Sequence, residues 1–231
     1  MYPIAVFKEG GYRYLPAVFQ YSAGVAAEPG FELVQARFSK VLPIDAAFAD
    51  IERHMSKIGR PLTAFAHCEL RSPKQFDDQG FISFNRQYVS TLERWGIYQS
   101  ESQGGSFKNP VARTNVCPEY FGPTEVAMYS FAYTVPTSSK SPGGFILSGG
   151  GDARSGSEPY RDRIIAYGDT SNSGLKLKME FVSNEMTKRL KSLGFDWSDV
   201  TSAQAYSVHN IGGLVEEVFA KQGYLHSGLN W

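Results

Sequence analysis

Nothing in this sequence approaches the roughly 18 consecutive apolar residues that a bilayer-spanning helix needs. Its first residues, MYPIAVFKEGG, lack the basic start and apolar core of a secretory signal. These absences point to a soluble, cytosolic protein. Neither sign of charge is in excess: 23 basic and 23 acidic residues leave a formal net charge of zero, with no long basic run. That argues against a nucleic-acid binder, which relies on neutralising phosphates. Cysteine is scarce. Cys68 and Cys117 are isolated and lie in strand-like runs without a C-x-x-C pair, which reads as two reduced, buried thiols, although spacing alone does not exclude a disulfide. The four histidines, His54, His67, His209 and His226, show no H-x-x-E-H or H-x-x-x-H spacing, so no metal centre is expected. The glycine-rich run SGGGDARSG at 148–156 lacks the GK[ST] ending of a phosphate loop and reads as a turn.

What is present in quantity is aromatic: 14% of the chain, which suits strands and lined pockets. The stretch 111–135, VARTNVCPEYFGPTEVAMYSFAYTV, organises the rest. It reads as two strands, 111–117 and 126–135, separated by Pro118 and a Gly122-Pro123 corner. Along the first strand Arg113, Asn115 and Cys117 share one face, because side chains alternate with a period of two. An arginine facing a cleft suits a carboxylate ligand, since its planar fork donates two parallel hydrogen bonds and stays charged. Glu125 lies across the turn, where an antiparallel partner strand would bring its carboxylate to the same cleft. The alternative is an ordinary cross-strand ion pair on a solvated face.

Taken in order, the chain opens with strand-like pieces at 2–7, 12–19, 21–26 and 31–38, broken by Gly10-Gly11 and Pro29-Gly30. From 44 to 58 the period changes to that of a helix, with Ile44, Phe48, Ile51, Met55 and Ile58 on one stripe and Gly59 as the stop. His54 falls beside that stripe, as a helix-surface or edge residue. Residues 64–72 alternate as a half-buried strand with His67 on the solvent side. Residues 81–97 return to helical period through Phe81, Phe84, Tyr88, Leu92 and Trp95, with Asp77 and Asp78 ahead favouring the helix dipole. Asn85 sits mid-helix, where its propensity is poor, and either faces water or serves a site. Residues 99–109, with Gly104-Gly105, form a polar loop.

After Pro136 the polar joint TSSKSPGG reads as a linker, and the first half then begins again. Residues 144–153, GFILSGGGDA, match 18–27, VFQYSAGVAA, and a helix over 177–193 ends at Gly194 as the first ends at Gly59. Residues 201–210 read as a second strand and 213–222 as a shorter amphipathic helix. The offset drifts from about 126 to about 135 residues, as divergent tandem copies would give. The second copy reaches Trp231 before any counterpart of 111–135, so its sheet edge is expected to be covered by a neighbouring chain or to continue in a longer one.

The order of elements resembles the RidA/YjgF family of reactive-intermediate deaminases. The residues that carry it are SAG at 22–24, the helix ending at Gly59, the strand around Cys68, Phe84-Asn85 with Tyr88, and Arg113 with Val116 followed by Glu125. A two-repeat chain of this kind is also similar to the 2-aminomuconate deaminase type of aromatic breakdown. The resemblance implies an α+β fold of two tandem YjgF-like (chorismate-mutase-like) domains, 1–136 and 137–231. Each would be a mixed sheet with two helices packed on one face, the second copy incomplete.

It further implies a homotrimer or higher homo-oligomer with a pocket between subunits, and a cofactor-independent deaminase of an imine or enamine of a carboxylic acid. Arg113 would clamp the carboxylate and Glu125 would position the attacking water. Asn115, Asn85, Tyr88 and Cys117 would contact the substrate, with Tyr14, Phe19 and Tyr88 lining the pocket. The interval from Arg113 to Glu125 is shorter than the family's usual one. A non-catalytic carboxylate-binding or sensing module is the other reading, because one fold hosts many functions. The ribonuclease activity of some relatives fits poorly with neutral charge.

Overall fold

The computed structural model describes residues 1–74, 76, 78–101, 106–139 and 143–231, without the side chains of residues 78, 79 and 81. Asp77, the side chains of Asp78 and Phe81, Gly104-Gly105 and residues 140–142 of the polar joint lie outside the described residues. The chain divides into two compact units, residues 2–149 and residues 150–231 together with Met1. It is a mixed α+β protein, and among the described residues no helix is long and apolar enough to cross a membrane.

In the first unit, β4 (Phe31–Pro43), β5 (Phe65–Arg71), β6 (Ala112–Val116) and β7 (Ala127–Pro136) form a sheet of order β4-β7-β5-β6. The pair β5–β6 is parallel and the other two pairs are antiparallel. A parallel pair needs a crossover, and α2 (Asp78–Arg94) provides it, while α1 (Ile44–Lys57) joins β4 to β5. Ile44, Phe48, Ile51 and Met55 of α1 share one core with Tyr88, Val89 and Leu92 of α2, Cys68 and Leu70 of β5, and Met128, Phe131 and Tyr133 of β7. Spacings of four, three and four put the α1 set on one helical stripe. The chain leaves α1 through Gly59 at φ 66°, a left-handed conformation that glycine adopts without strain.

A second, antiparallel sheet of order β1-β2-β3-β8 is built from β1 (Ala5–Phe7), β2 (Tyr12–Tyr14), β3 (Gly24–Ala27) and β8 (Phe145–Leu147). Tyr12, Tyr14 and Val25 from it pack with Ala66 of β5 and Ala112 of β6. The larger sheet is therefore covered there on the face opposite the helices as well. His67 is accordingly buried, not solvent-facing as its alternation suggests, and neither ring nitrogen has a hydrogen-bond partner among the described residues. Tyr14 belongs to this second cluster, and His54 bridges α1 to β7 through Nε2 and the Tyr133 hydroxyl at 3.0 Å.

The second unit contains α3 (Tyr160–Arg163), α4 (Asn172–Leu193) and α5 (Gly212–Val218). Leu175 and Met179 of α4 pack with Ile211, Leu214 and Val218. Ser171 caps α4 by accepting the Gly174 N–H at 3.3 Å, and Gly194 ends it at φ 87°.

Three expectations are corrected here. The stretches 111–117 and 126–135 are not a hairpin, because β5 lies between β6 and β7. The strand expected to open the second copy is β8, and it pairs with β3 of the first unit, the compact units dividing at 149/150. Residues 201–210 form no strand. Only an isolated bridge, Gln204–Asn230, is made there, and alternation without a neighbouring strand leaves the backbone to turns. The sheet with two helices on one face is thus not repeated among the described residues of the second unit.

Burial holds the His67 imidazole down from its usual 6.5 to about 3. Between those values only the unfolded chain takes up the proton, so stability rises with pH at up to ~1.4 kcal/mol per unit. Urea unfolding at pH 5 and pH 7 should show a loss on acidification that is smaller in His67→Gln by about 2 kcal/mol. Equal pH slopes in the two proteins would contradict the account.

Candidate functional site

β6 is held from both sides. Its pairing with β5 sets Cys68 beside Arg113 and Leu70 beside Asn115. Along its other edge, Ser22 N–H donates to the Val111 carbonyl at 2.8 Å, Arg113 N–H to Ser148 Oγ at 2.9 Å, and Gly149 N–H to Thr114 Oγ1 at 3.0 Å. Alternation then sends the Arg113 side chain to the helix-covered face, under α2.

There Arg113 meets rings, not acids. Its guanidinium carbon lies 4.7 Å from the centroid of Tyr88, 5.2 Å from Tyr21 and 5.8 Å from Phe84. The residue is only 4% exposed, and its Nη1 is buried without a hydrogen-bond partner among the described residues. Nor does it form an ion pair with any described carboxylate. Glu69, the buried acid beside Cys68, alternates to the opposite face, where Gln35 Nε2 donates to it at 2.9 Å and Arg71 lies at 3.4 Å. Burying an ion without a counter-ion costs several kcal/mol, and a desolvated cation–π contact returns about 2 kcal/mol. Arg113 is therefore a dehydrated donor that the fold leaves partly unsatisfied.

Tyr88, the nearest ring, is itself tied down: its hydroxyl and Cys68 Sγ lie 3.4 Å apart. Burial pushes the Cys68 thiol up to about 11, against the opposing pull of the Tyr88 hydrogen bond and the Arg113 charge. Burial likewise raises the Tyr88 hydroxyl well above its usual value. Both groups stay neutral near pH 7, so they support Arg113 and offer no anionic nucleophile.

The remaining sequence-derived residues are placed as follows. Asn85 is fully buried one turn before Tyr88, so it does not face water. The Asn115 amide is engaged by Ser72, its Nδ2 donating to Oγ at 2.9 Å. Cys117 is exposed, not buried, and both cysteines are free thiols. Glu125 is exposed in a bend between β6 and β7 and makes no ion pair among the described residues.

Val116 and Ala127 are both in register with Arg71, so residues 117–126 sit at one end of β5, while Arg113 is in register with Cys68. Three residues of strand amount to roughly 10 Å. Sequence reasoning missed Tyr21 and Cys68 as neighbours of Arg113. The i, i+4 spacing of Phe84 and Tyr88 was the one readable signal for the cage. Phe19, a suggested pocket residue, packs against the main core instead.

The chain matches the family model described as 2-aminomuconate deaminase CnbZ over residues 4–231. It is 58% identical over 228 residues to a 2-amino-5-chloromuconate deaminase of Comamonas testosteroni, covering 98% of this chain and 88% of that protein. No solved structure matches the chain.

The two thiols should separate in a labelling experiment. At pH 8 a disulfide reagent is expected to modify Cys117 rapidly in the native protein and Cys68 only after unfolding. Rapid native labelling of Cys68, read by mass spectrometry, would show that the floor of the arginine site is open.

Proposed function

Because the chain belongs to the 2-aminomuconate deaminase CnbZ family, we propose that it hydrolyses the amino group from a 2-aminomuconate-type acid, with Arg113 gripping one carboxylate. The observation that carries the reading is the buried guanidinium, caged by Tyr21, Phe84 and Tyr88 and without a counter-ion among the described residues. A carboxylate entering this site supplies the missing charge and finds a donor already stripped of water.

The chemistry asks little more of the protein. The enamine tautomerises to an imine whose carbon is electrophilic. Water adds to that carbon, a proton moves to nitrogen, ammonia leaves, and a 2-oxo acid remains. Holding the adjacent carboxylate fixes the imine carbon in place, and one proton relay completes the reaction. A metal or organic cofactor is not required by this sequence of steps. The rings around Arg113 suit a flat conjugated chain better than a three-carbon acid.

For the water we assign Glu125. Its loop leaves β6 and enters β7 at one end of β5, and it must fold towards Arg113 to reach the imine carbon. Tyr120 and Phe121 in that loop are exposed, and Phe121 holds a left-handed φ of 54°, a costly conformation for a bulky residue. Closure over substrate would cover those rings.

Ammonia release from freshly generated 2-aminomuconate tests the assignment. Arg113→Ala should lower kcat/KM about 100-fold, the equivalent of roughly 3 kcal/mol for a charge-assisted contact. Glu125→Gln should lower kcat while leaving KM near its original value. Unchanged kcat/KM in Arg113→Ala would remove the carboxylate clamp from the account, and unchanged kcat in Glu125→Gln would move the water to another group.

A further inference from the structure

Ser148 is 1% exposed and belongs to the SGG run at 148–150, which the sequence matches to SAG at 22–24. In the structure the two matched serines touch, for Ser148 Oγ donates to the Ser22 carbonyl. The same oxygen accepts the backbone N–H of Arg113 at 2.9 Å. A hydroxyl has one proton to give, and a backbone N–H can only donate, so the direction of this chain is fixed: Arg113 N–H to Ser148 Oγ–H to Ser22 carbonyl. Ser22 in turn is anchored to the residues leading into β6, its N–H donating to the Val111 carbonyl and its hydroxyl to the Pro110 carbonyl at 3.0 Å.

We infer that Ser148 is a positioning residue for Arg113, locking the backbone from which the guanidinium reaches the substrate carboxylate. The inference rests on the reading of Arg113 as that clamp. β6 pairs through its other edge with β5, and at position 113 its outward N–H meets no strand, only this one side chain. Removing the hydroxyl leaves a buried N–H without its acceptor. The strand must then shift or admit water to satisfy it. Either response moves Cα of Arg113, and binding of a carboxylate by a planar fork is sensitive to displacements well under 1 Å.

Kinetics with 2-aminomuconate, combined with binding of muconate as a non-reacting dicarboxylate, test the role. Ser148→Ala should raise KM and weaken muconate about five- to tenfold, the effect of one lost hydrogen bond, while kcat changes less. Ser148→Thr, which keeps the oxygen, should restore most of the affinity. Ser130→Ala is the structural control. Ser130 is equally buried on β7 and bonds Gln35, so its loss should lower thermal stability without moving KM.

In an Arg113→Ala background, Ser148→Ala should have no further effect on muconate binding. A Ser148→Ala protein that loses stability like Ser130→Ala but binds muconate normally would overturn the inference while leaving the clamp intact. An Arg113→Ala protein that binds muconate normally would instead overturn the clamp itself. Should Ser148→Ala fail to fold, Ser148→Cys decides, because its weakly accepting sulfur predicts an intermediate affinity and an unchanged one would contradict the role.

Discussion

The charge of Arg113 is the constraint to which the first unit answers. An arginine residue 4% exposed, with rings on several sides of its guanidinium and no ion pair to a described acid, is unfavourable unless something on the strand, the helix and the edge holds it there. β5 and the Ser22–Ser148 edge fix the backbone, α2 delivers Tyr88 and Phe84, and Cys68 steadies Tyr88 from below. Burial keeps the Cys68 thiol and the Tyr88 hydroxyl neutral at physiological pH, so neither pairs with the charge of the arginine. On the proposed reading, a bound carboxylate would recover the stability forgone by burying the charge.

Burial on two faces adds to these constraints. The larger sheet carries the helices on one side and, around Ala66 and Ala112, the smaller sheet on the other. Edge strands are ordinarily the mobile part of a sheet, yet β6 is bonded along both edges. The position of the Arg113 backbone is thus set by contacts along both edges of its strand.

Much of the first unit was legible in the sequence because its signals are periodic and local. The α1 stripe of Ile44, Phe48, Ile51 and Met55 sits in the core as spaced, and Phe84, Tyr88 and Leu92 of α2 follow suit, with Trp95 just past the helix end. Strand partnership is not a local property, and that is where reading failed. Residues 111–117 and 126–135 look like a hairpin, but β5 inserts between them, so strand pairing alone does not bring Glu125 to Arg113. The match of 144–153 to 18–27 was real as a sequence pattern, yet β8 joins β3 and closes the first unit's sheet. His67 alternated like a solvent residue because the pattern of one strand says nothing of a second sheet laid over it. Tyr21 carried no signal at all, being brought to Arg113 by the chain's route past β6.

Unfolding temperature, with and without saturating muconate, measured on the wild type and on Arg113→Met, tests the central claim most directly. An uncompensated buried charge predicts that the unliganded variant is at least as stable as the wild type, since methionine fills the ring cage without a desolvation penalty. It also predicts that muconate stabilises the wild type alone, by the linkage of binding to folding. A variant that is markedly less stable without ligand, and still stabilised by muconate, would show that Arg113 is a structural residue whose charge is already satisfied.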